Sequence, residues 1–240
     1  MRDLYIRRMS LIDSPPKDSY LNRLPVVRHL AEHGIDFHRQ VTFFVGENGS
    51  GKSSLIEALA VSQGFNPEGG TKNFRFSTED THSGLYDHLR VARGVVYPKD
   101  GFFLRAESFY NVATMEEEYA KGPGGRPQHL HEKSHGESFL TVVQNYFRGH
   151  GFYVLDEPEA ALSPQRQMTL LFEIASCVAD GAQFLIATHS PILLSLPDAE
   201  ILSFDGGPLH PITYEETDSY QITRLFINDR ERILRELLQE

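Results

Sequence analysis

One cysteine, Cys177, is found in 240 residues, so no disulfide framework can staple this chain, and its composition is that of an intracellular protein. No stretch approaches the roughly 18 uninterrupted apolar residues of a membrane helix. The opening Met1-Arg2-Asp3-Leu4 alternates charge and apolarity and has no signal-peptide core. The expected location is therefore the cytoplasm. Positive charge is also in short supply, because 23 Lys and Arg face 33 Asp and Glu, a net charge of −10. That balance excludes an all-over nucleic-acid coat and leaves room only for a local basic patch. Internal repeats and long linkers are absent. What remains is an ordinary globular composition, 40% hydrophobic and 23% charged, which excludes a mostly disordered chain and suits one α/β domain with a sizeable core.

Residues 4–12 alternate loosely and read as a strand. Pro15-Pro16 breaks it into a loop, and Pro25 opens a short helix with Val26, Val27 and Leu30 on its apolar face and Gly34 at its end. Residues 41–45 form a nearly continuous apolar run of strand length, the mark of burial on both faces. Residues 64–83 read as loop. Residues 88–96 and 102–107 read as two strands around a turn at Tyr97-Pro98-Lys99-Asp100-Gly101. Glu116 to Glu118 fit a solvated helix, and residues 122–128 are rich in Gly and Pro. In the second half a βαβ pattern emerges. Residues 152–155 are a buried strand; Ser163 and Pro164 start a helix striped by Leu171, Ile174, Ala175 and Val178, with Gly181 closing it; residues 184–187 are the next strand. Asp205-Gly206-Gly207 signals a hairpin. The tail from Asn228 places Ile233, Leu234, Leu237 and Leu238 on one helical side, expected to pack on the core rather than to form a dimer surface.

Gly46-Glu47-Asn48-Gly49-Ser50-Gly51-Lys52-Ser53 fits G-x-x-x-x-G-K-[ST] and lies between a buried strand and a helix. Its glycines let the backbone curl so that consecutive N–H groups point at one anion, and side chains there would obstruct the approach. The helix that follows adds the positive end of its dipole. Candidate phosphate-binding residues are Asn48, Gly49, Ser50, Gly51, Lys52, Ser53 and Ser54. Lys52 supplies a point charge for β- and γ-phosphates, and the Ser53 hydroxyl is a Mg²⁺ ligand. At the tip of the strand 152–155, Asp156 suits a Mg²⁺ held through water, and Glu157 is placed to polarise an attacking water as general base. Ser134-His135-Gly136-Glu137 opens a helix that leads toward Asp156. His129, His131 and His135 read as surface histidines, because Cys is missing from their neighbourhood and carboxylates are few. Cys177 reads as an inert core residue on the flank of its helix stripe.

Taken in chain order, the phosphate loop, the Ser134 segment, Asp156-Glu157 and Thr188-His189-Ser190-Pro191 resemble the motif series of ABC-type ATPase cassettes. In detail the chain is similar to compact bacterial AAA/ABC-type predicted ATPases, relatives of SMC and RecF-like heads. The resemblance rests on Val-Gly-Glu-Asn-Gly-Ser-Gly-Lys-Ser, Phe-Phe-Leu-Arg-Ala-Glu-Ser-Phe, Leu-Asp-Glu-Pro-Glu-Ala-Ala-Leu-Ser and Ala-Thr-His-Ser-Pro-Ile-Leu-Leu. It implies a P-loop NTPase fold of ABC-ATPase type, with a mostly parallel sheet flanked by helices, an antiparallel β subdomain and a small helical lobe. A single domain over residues 1–240 is expected, with an inserted β/helical lobe over about residues 64–150 that ends in the signature segment. The resemblance further implies an ATP-dependent homodimer of heads paired head to tail. Ser134, Gly136 and Glu137 would then form the signature presented in trans, with Ser134 and the Gly136 backbone touching the γ-phosphate bound to the partner; His189 would contact the γ-phosphate from the head that holds the nucleotide, and residues 160–163 would form the crossing D-loop. Two departures stand out: where cassettes carry a metal-touching glutamine the nearest residue here is Glu107, and the upstream aromatic on which transporter cassettes stack adenine has no clear counterpart. Arg75 sits where SMC-like heads place an arginine near nucleotide or DNA, and a solvated loop arginine is the alternative reading.

The expected activity is hydrolysis of ATP to ADP and phosphate with Mg²⁺, driving a dimerisation switch in nucleic-acid repair or defence. The alternative is a module that dimerises on ATP and recruits an effector protein with little turnover. A small-molecule kinase would leave Glu157, Ser134 and His189 unexplained. A transporter subunit is disfavoured by the missing glutamine.

Overall fold

The computed structural model describes residues 4–72, 83–120 and 134–238. Among them the strands are β1 (Ile6–Leu11), β2 (Ile35–Asp36), β3 (Val41–Val45), β4 (Leu89–Arg93), β5 (Asp100–Arg105), β6 (Gly151–Asp156), β7 (Gln183–Ala187), β8 (Glu200–Ser203) and β9 (His210–Ile212). The helices are α1 (Pro25–Glu32), α2 (Lys52–Ser62), α3 (Phe109–Ala120), α4 (His135–Tyr146), α5 (Pro164–Ala179), α6 (Pro191–Leu194), α7 (Asp218–Asn228) and α8 (Arg230–Leu238).

Two sheets form. The larger has the order β5-β6-β7-β3-β8-β9 and is parallel except for the hairpin strand β9; the smaller, β2-β1-β4, is antiparallel. The apolar run Val41–Val45 is central, paired on both edges, and buried along its whole length. Side chains alternate across a strand, so Phe43, Tyr153 and Phe184 pack on one face with α4 and α5, while Phe44, Val154 and Leu185 pack on the other with α1 and α2. A parallel sheet covered on both faces needs apolar residues along nearly its whole length, which β3, β6 and β7 supply apart from Thr42, Asp156 and Gln183. Because these three strands are neighbours and run the same way, their C-terminal ends share one edge. In open α/β sheets that edge is where ligands bind.

Four expectations change. Residues 97–101 do not turn a hairpin: β4 pairs with β1 in the small sheet and β5 pairs with β6 in the large one, with Asp100 and Gly101 already in the strand. Pro, Asp and Gly mark a chain reversal but carry no information on which sheet each arm joins. As a result β4 and β5 each join a different sheet. The buried stripe of α5 is Leu170, Ile174 and Cys177, one residue round from the expected one, which puts Cys177 on the stripe, where burial raises its thiol pKa to about 11. Finally, α7 and α8 bury no residue, and Ile222, Ile227, Leu237 and Leu238 are exposed, so the tail does not pack on the core. Arg75, His129, His131 and the Gly/Pro-rich stretch 122–128 lie outside the described residues. No helix among those described is long and apolar enough to cross a membrane.

Candidate functional site

The loop between β3 and α2 takes the curl its glycines predict. Gly46, Gly49 and Gly51 have φ of 143°, 86° and 100°, a region L side chains rarely adopt. At Gly51 space is also short, since a Cβ there would lie 2.6 Å from Val26 Cγ1. Helix α1 thus braces the loop from behind. No side chain caps α2, so its first N–H groups face the loop's concavity. Lys52 is buried and its ammonium donates to the carbonyls of Gly46 and Glu47. Desolvation lowers its pKa, opposed by the charges of Glu157, Asp205, Asp156 and Glu159. The Ser50 hydroxyl is buried with no hydrogen-bond partner among the described residues, an orphan that an oxyanion seated in the loop would satisfy. Asn48 and Gly49 are exposed, Ser54 is half-buried, and the Glu47 N–H donates to Asp205 Oδ1 at 2.8 Å.

Across the sheet edge, Asp156 closes β6. Its carboxylate accepts from Ser53 Oγ at 3.0 Å and faces Arg105 Nε at 3.3 Å. Burial pushes the Asp156 carboxyl up to about 6, although Arg105 and the Ser53 hydrogen bond both pull it down. Ser53, Arg105, Glu107, His135, Asp156 and Glu157 line one cavity of about 170 Å³. Its oxygen donors are hard ligands, and a single buried carboxylate with one hydroxyl fits Mg²⁺, which favours few protein ligands plus water and phosphate. No group of three or more His, Cys, Asp or Glu able to hold a metal occurs among the described residues.

Glu157 follows with φ of +46°, unusual for a residue with a side chain. Its N–H donates to the carbonyl of Ala187, at the end of β7, at 2.9 Å. The carboxylate then sits 4.0 Å from His189 Nε2. Glu159 accepts from the Thr188 hydroxyl at 2.8 Å and from the His189 N–H. The turn after β6 and the loop after β7 are therefore held together by direct bonds.

The signature segment is engaged within its own chain. Ser134 is the N-cap of α4: its N–H and hydroxyl both donate to Glu137 Oε2, at 2.9 and 2.6 Å. Arg166, on α5, donates to Ser134 Oγ at 3.2 Å and pairs with Glu137 Oε1 at 3.1 Å. Gly136 permits the close approach of α4 to residues 158–161, since a Cβ would lie 3.0 Å from the Ala161 carbonyl oxygen and 2.6 Å from Arg166. His135 is exposed, as expected of a surface histidine, and it also borders the Asp156 cavity and meets the Phe109 ring edge-on at 5.3 Å.

Lys52, Ser53, Asp156, Glu157 and His189 are thus brought to one edge. Glu107 borders that cavity, but its side chain is 85% exposed and only 3.9 Å from Arg105. Sequence reasoning overlooked Arg105, Glu57, Glu159 and Arg166. A signal existed for the first two. Glu57 is the lone acid inside α2, and Arg105 follows the apolar Phe102-Phe103-Leu104 at the end of β5; two charges in such apolar surroundings call for partners. They are bonded at 2.9 Å. On the far side of the phosphate loop lies a larger cavity of about 670 Å³, bordered by Gly46, Asn48, His189, Asp205 and His210.

Residues 27–97 match a family model described as an AAA domain, and residues 125–195 match a second, described as "AAA domain, putative AbiEii toxin, Type IV TA system". The first span contains the phosphate loop; the second runs through Ser134, Asp156 and His189. Over 32 residues the chain is 59% identical to the DNA replication and repair protein RecF of Colwellia psychrerythraea, a span of 13% of this chain and 8% of that relative. Among solved structures it is similar to cbiO1 of Clostridium perfringens, part of the ABC transporter complex cbiONQ, with 14% identity and a TM-score of 0.51 over 99% of this chain and 100% of that one. It is also similar to MJ1267, an ATP-binding cassette of an ABC transporter, with 18% identity and a TM-score of 0.50 over 96% and 98% of the two chains. At these identities the likeness to the two cassettes is one of fold.

Proposed function

We propose that this chain, a P-loop protein of the ABC/AAA ATPase type, binds ATP with Mg²⁺, hydrolyses it, and uses the nucleotide to join two copies head to tail. The observation that carries this reading is the convergence of Lys52, Ser53, Asp156, Glu157 and His189 on the C-terminal edge of three adjacent parallel strands. The N–H groups of residues 48–54 cradle the phosphates, and Lys52 leaves the loop carbonyls to meet them. Ser53 and Asp156 hold Mg²⁺, which when bound neutralises charge on the β- and γ-phosphates. Glu157 accepts the proton of the attacking water as that oxygen bonds to the γ-phosphorus and ADP leaves. His189 orients the γ-phosphate, steadied by Glu159. From a partner copy, the α4 N-terminus with Ser134 and Gly136 completes the site.

In this chain Ser134 is already bonded to Glu137 and Arg166, which supports slow turnover by a lone head. A repair or defence setting is supported by the descriptions of the second AAA model and of RecF; stimulation of phosphate release by DNA or RNA is its direct measure. The deciding experiment replaces Glu157 with Gln. Nucleotide binding is expected to survive, light scattering is expected to show an ATP-dependent dimer, and turnover is expected to fall by about 10²- to 10⁴-fold. Unchanged turnover would refute the general-base role. A protein that stays monomeric with ATP would refute the dimer switch.

A further inference from the structure

We infer that Arg105 is a resident countercharge for Asp156: a positioning residue that stands beside the carboxylate in the metal-free protein and gives it up when Mg²⁺ enters with nucleotide. This rests on the ATP and Mg²⁺ reading above. Arg105 and Asp156 are the last residues of β5 and β6 and are paired in register, so both side chains emerge at the same point of the sheet edge. The guanidinium is held unequally. On one side it donates to Glu57 Oε2 at 2.9 Å, and the other oxygen of Glu57 accepts from the Ser83 N–H at 2.9 Å. That anchor comes from α2 and is nine-tenths buried. On the other side Nε lies 3.3 Å from Asp156 Oδ2 and 3.9 Å from Glu107, yet it is buried and forms no hydrogen bond among the described residues.

The arginine is therefore tied firmly to Glu57 and only loosely to Asp156. A buried carboxylate needs a cation nearby, and Lys52 is engaged with the carbonyls of Gly46 and Glu47. Arg105 supplies the missing charge. When a metal takes Asp156, the guanidinium can stay on Glu57 while its free Nε–H turns toward Glu107 or a phosphate oxygen. This also gives the exposed Glu107 a use in the position where related cassettes carry glutamine.

Two effects follow, and they shift the same ratio in one direction. Without metal, the positive charge of Arg105 favours nucleotide phosphates. With metal, it repels Mg²⁺. Like charges a few ångströms apart in a half-buried site change a binding constant by at least about tenfold. The test is titration of the full chain with mant-ATP, in EDTA and at saturating Mg²⁺, for the wild type, Arg105→Met and Arg105→Lys. The ratio of Kd in EDTA to Kd in Mg²⁺ is expected to rise at least about tenfold in Arg105→Met and to stay within about threefold of wild type in Arg105→Lys. Circular dichroism reports folding, and Arg105→Gln replaces the methionine variant if that one fails to fold. A folded neutral variant in which both affinities move together, leaving the ratio unchanged, reduces Arg105 to a strut between β5 and α2 and overturns the inference. If the wild type itself fails to bind mant-ATP with Mg²⁺, the ATP reading is wrong as well. Normal wild-type binding with an unaltered ratio sinks the role of Arg105 alone.

Discussion

Asp156 is ionised at neutral pH in a setting that disfavours its charge. Burial raises its carboxyl to about 6, above the ordinary 3.8, despite the cation and hydroxyl beside it. A carboxyl raised in the fold contributes stability that is fully present below its unfolded value and is lost as pH rises through about 6. Asp156→Asn removes the weaker of the two buried carboxylates beside Arg105, which adds a constant offset, and it abolishes this titration. Relative to the asparagine variant, the metal-free wild type is therefore expected to gain about 2 kcal/mol between pH about 7 and about 4. Urea denaturation of both proteins across that range checks it, and parallel stability curves would contradict it. The arrangement suits a metal ligand, since the same desolvation that disfavours the lone carboxylate increases its attraction for a dication. Glu57 shows the complementary case. It has the same charge and similar burial, but a guanidinium and an N–H saturate its two oxygens, so it is a structural anchor with little to offer a metal.

At the level of elements, the phosphate loop is shaped as much by α1 behind it as by its own glycines. Gly51 must satisfy both a φ of 100° and the Val26 methyl at 2.6 Å from any added Cβ. Gly51→Ala is expected to destabilise the protein by about 2–4 kcal/mol from strain and overpacking together. Combining it with Val26→Ala removes the clash but not the left-handed strain, so the pair should be less destabilised than the sum of the single variants. Thermal or chemical melts of the four proteins measure this coupling; simple additivity would mean that α1 does not brace the loop. Helix α4 shows the same economy of parts. One serine caps it, one glutamate completes the cap, and Arg166 ties both to α5.

For the whole molecule, the two layers flanking the parallel sheet account for the core, and α7 and α8 stand outside it. Neither buries a residue, although Ile222, Ile227, Leu237 and Leu238 are large and apolar. Deleting residues 218–238 with the two that follow is therefore expected to shift the melting temperature by less than about 4 °C. A larger drop would show that these helices are covered in solution. The deletion spares Thr217, which is buried at the junction.

The amino-acid order was enough to announce the phosphate loop, the Asp156-Glu157 pair and the three buried strands, because each depends on local chemistry: glycines at curled positions, uninterrupted apolar runs, acids at strand ends. Helix starts at Pro25 and Ser163 were legible for the same reason. Sheet membership was not. Strands β4 and β5 are separated by one short loop yet lie in different sheets, a choice made by long-range pairing with β1 and β6. The packing of the tail was equally hidden, since an apolar stripe shows that a face can be buried, not that a surface is there to receive it. The union of Arg105 with Glu57 and Asp156 also belongs to the fold. These residues are far apart along the chain, and only the register of two strands against a buried helix makes them neighbours.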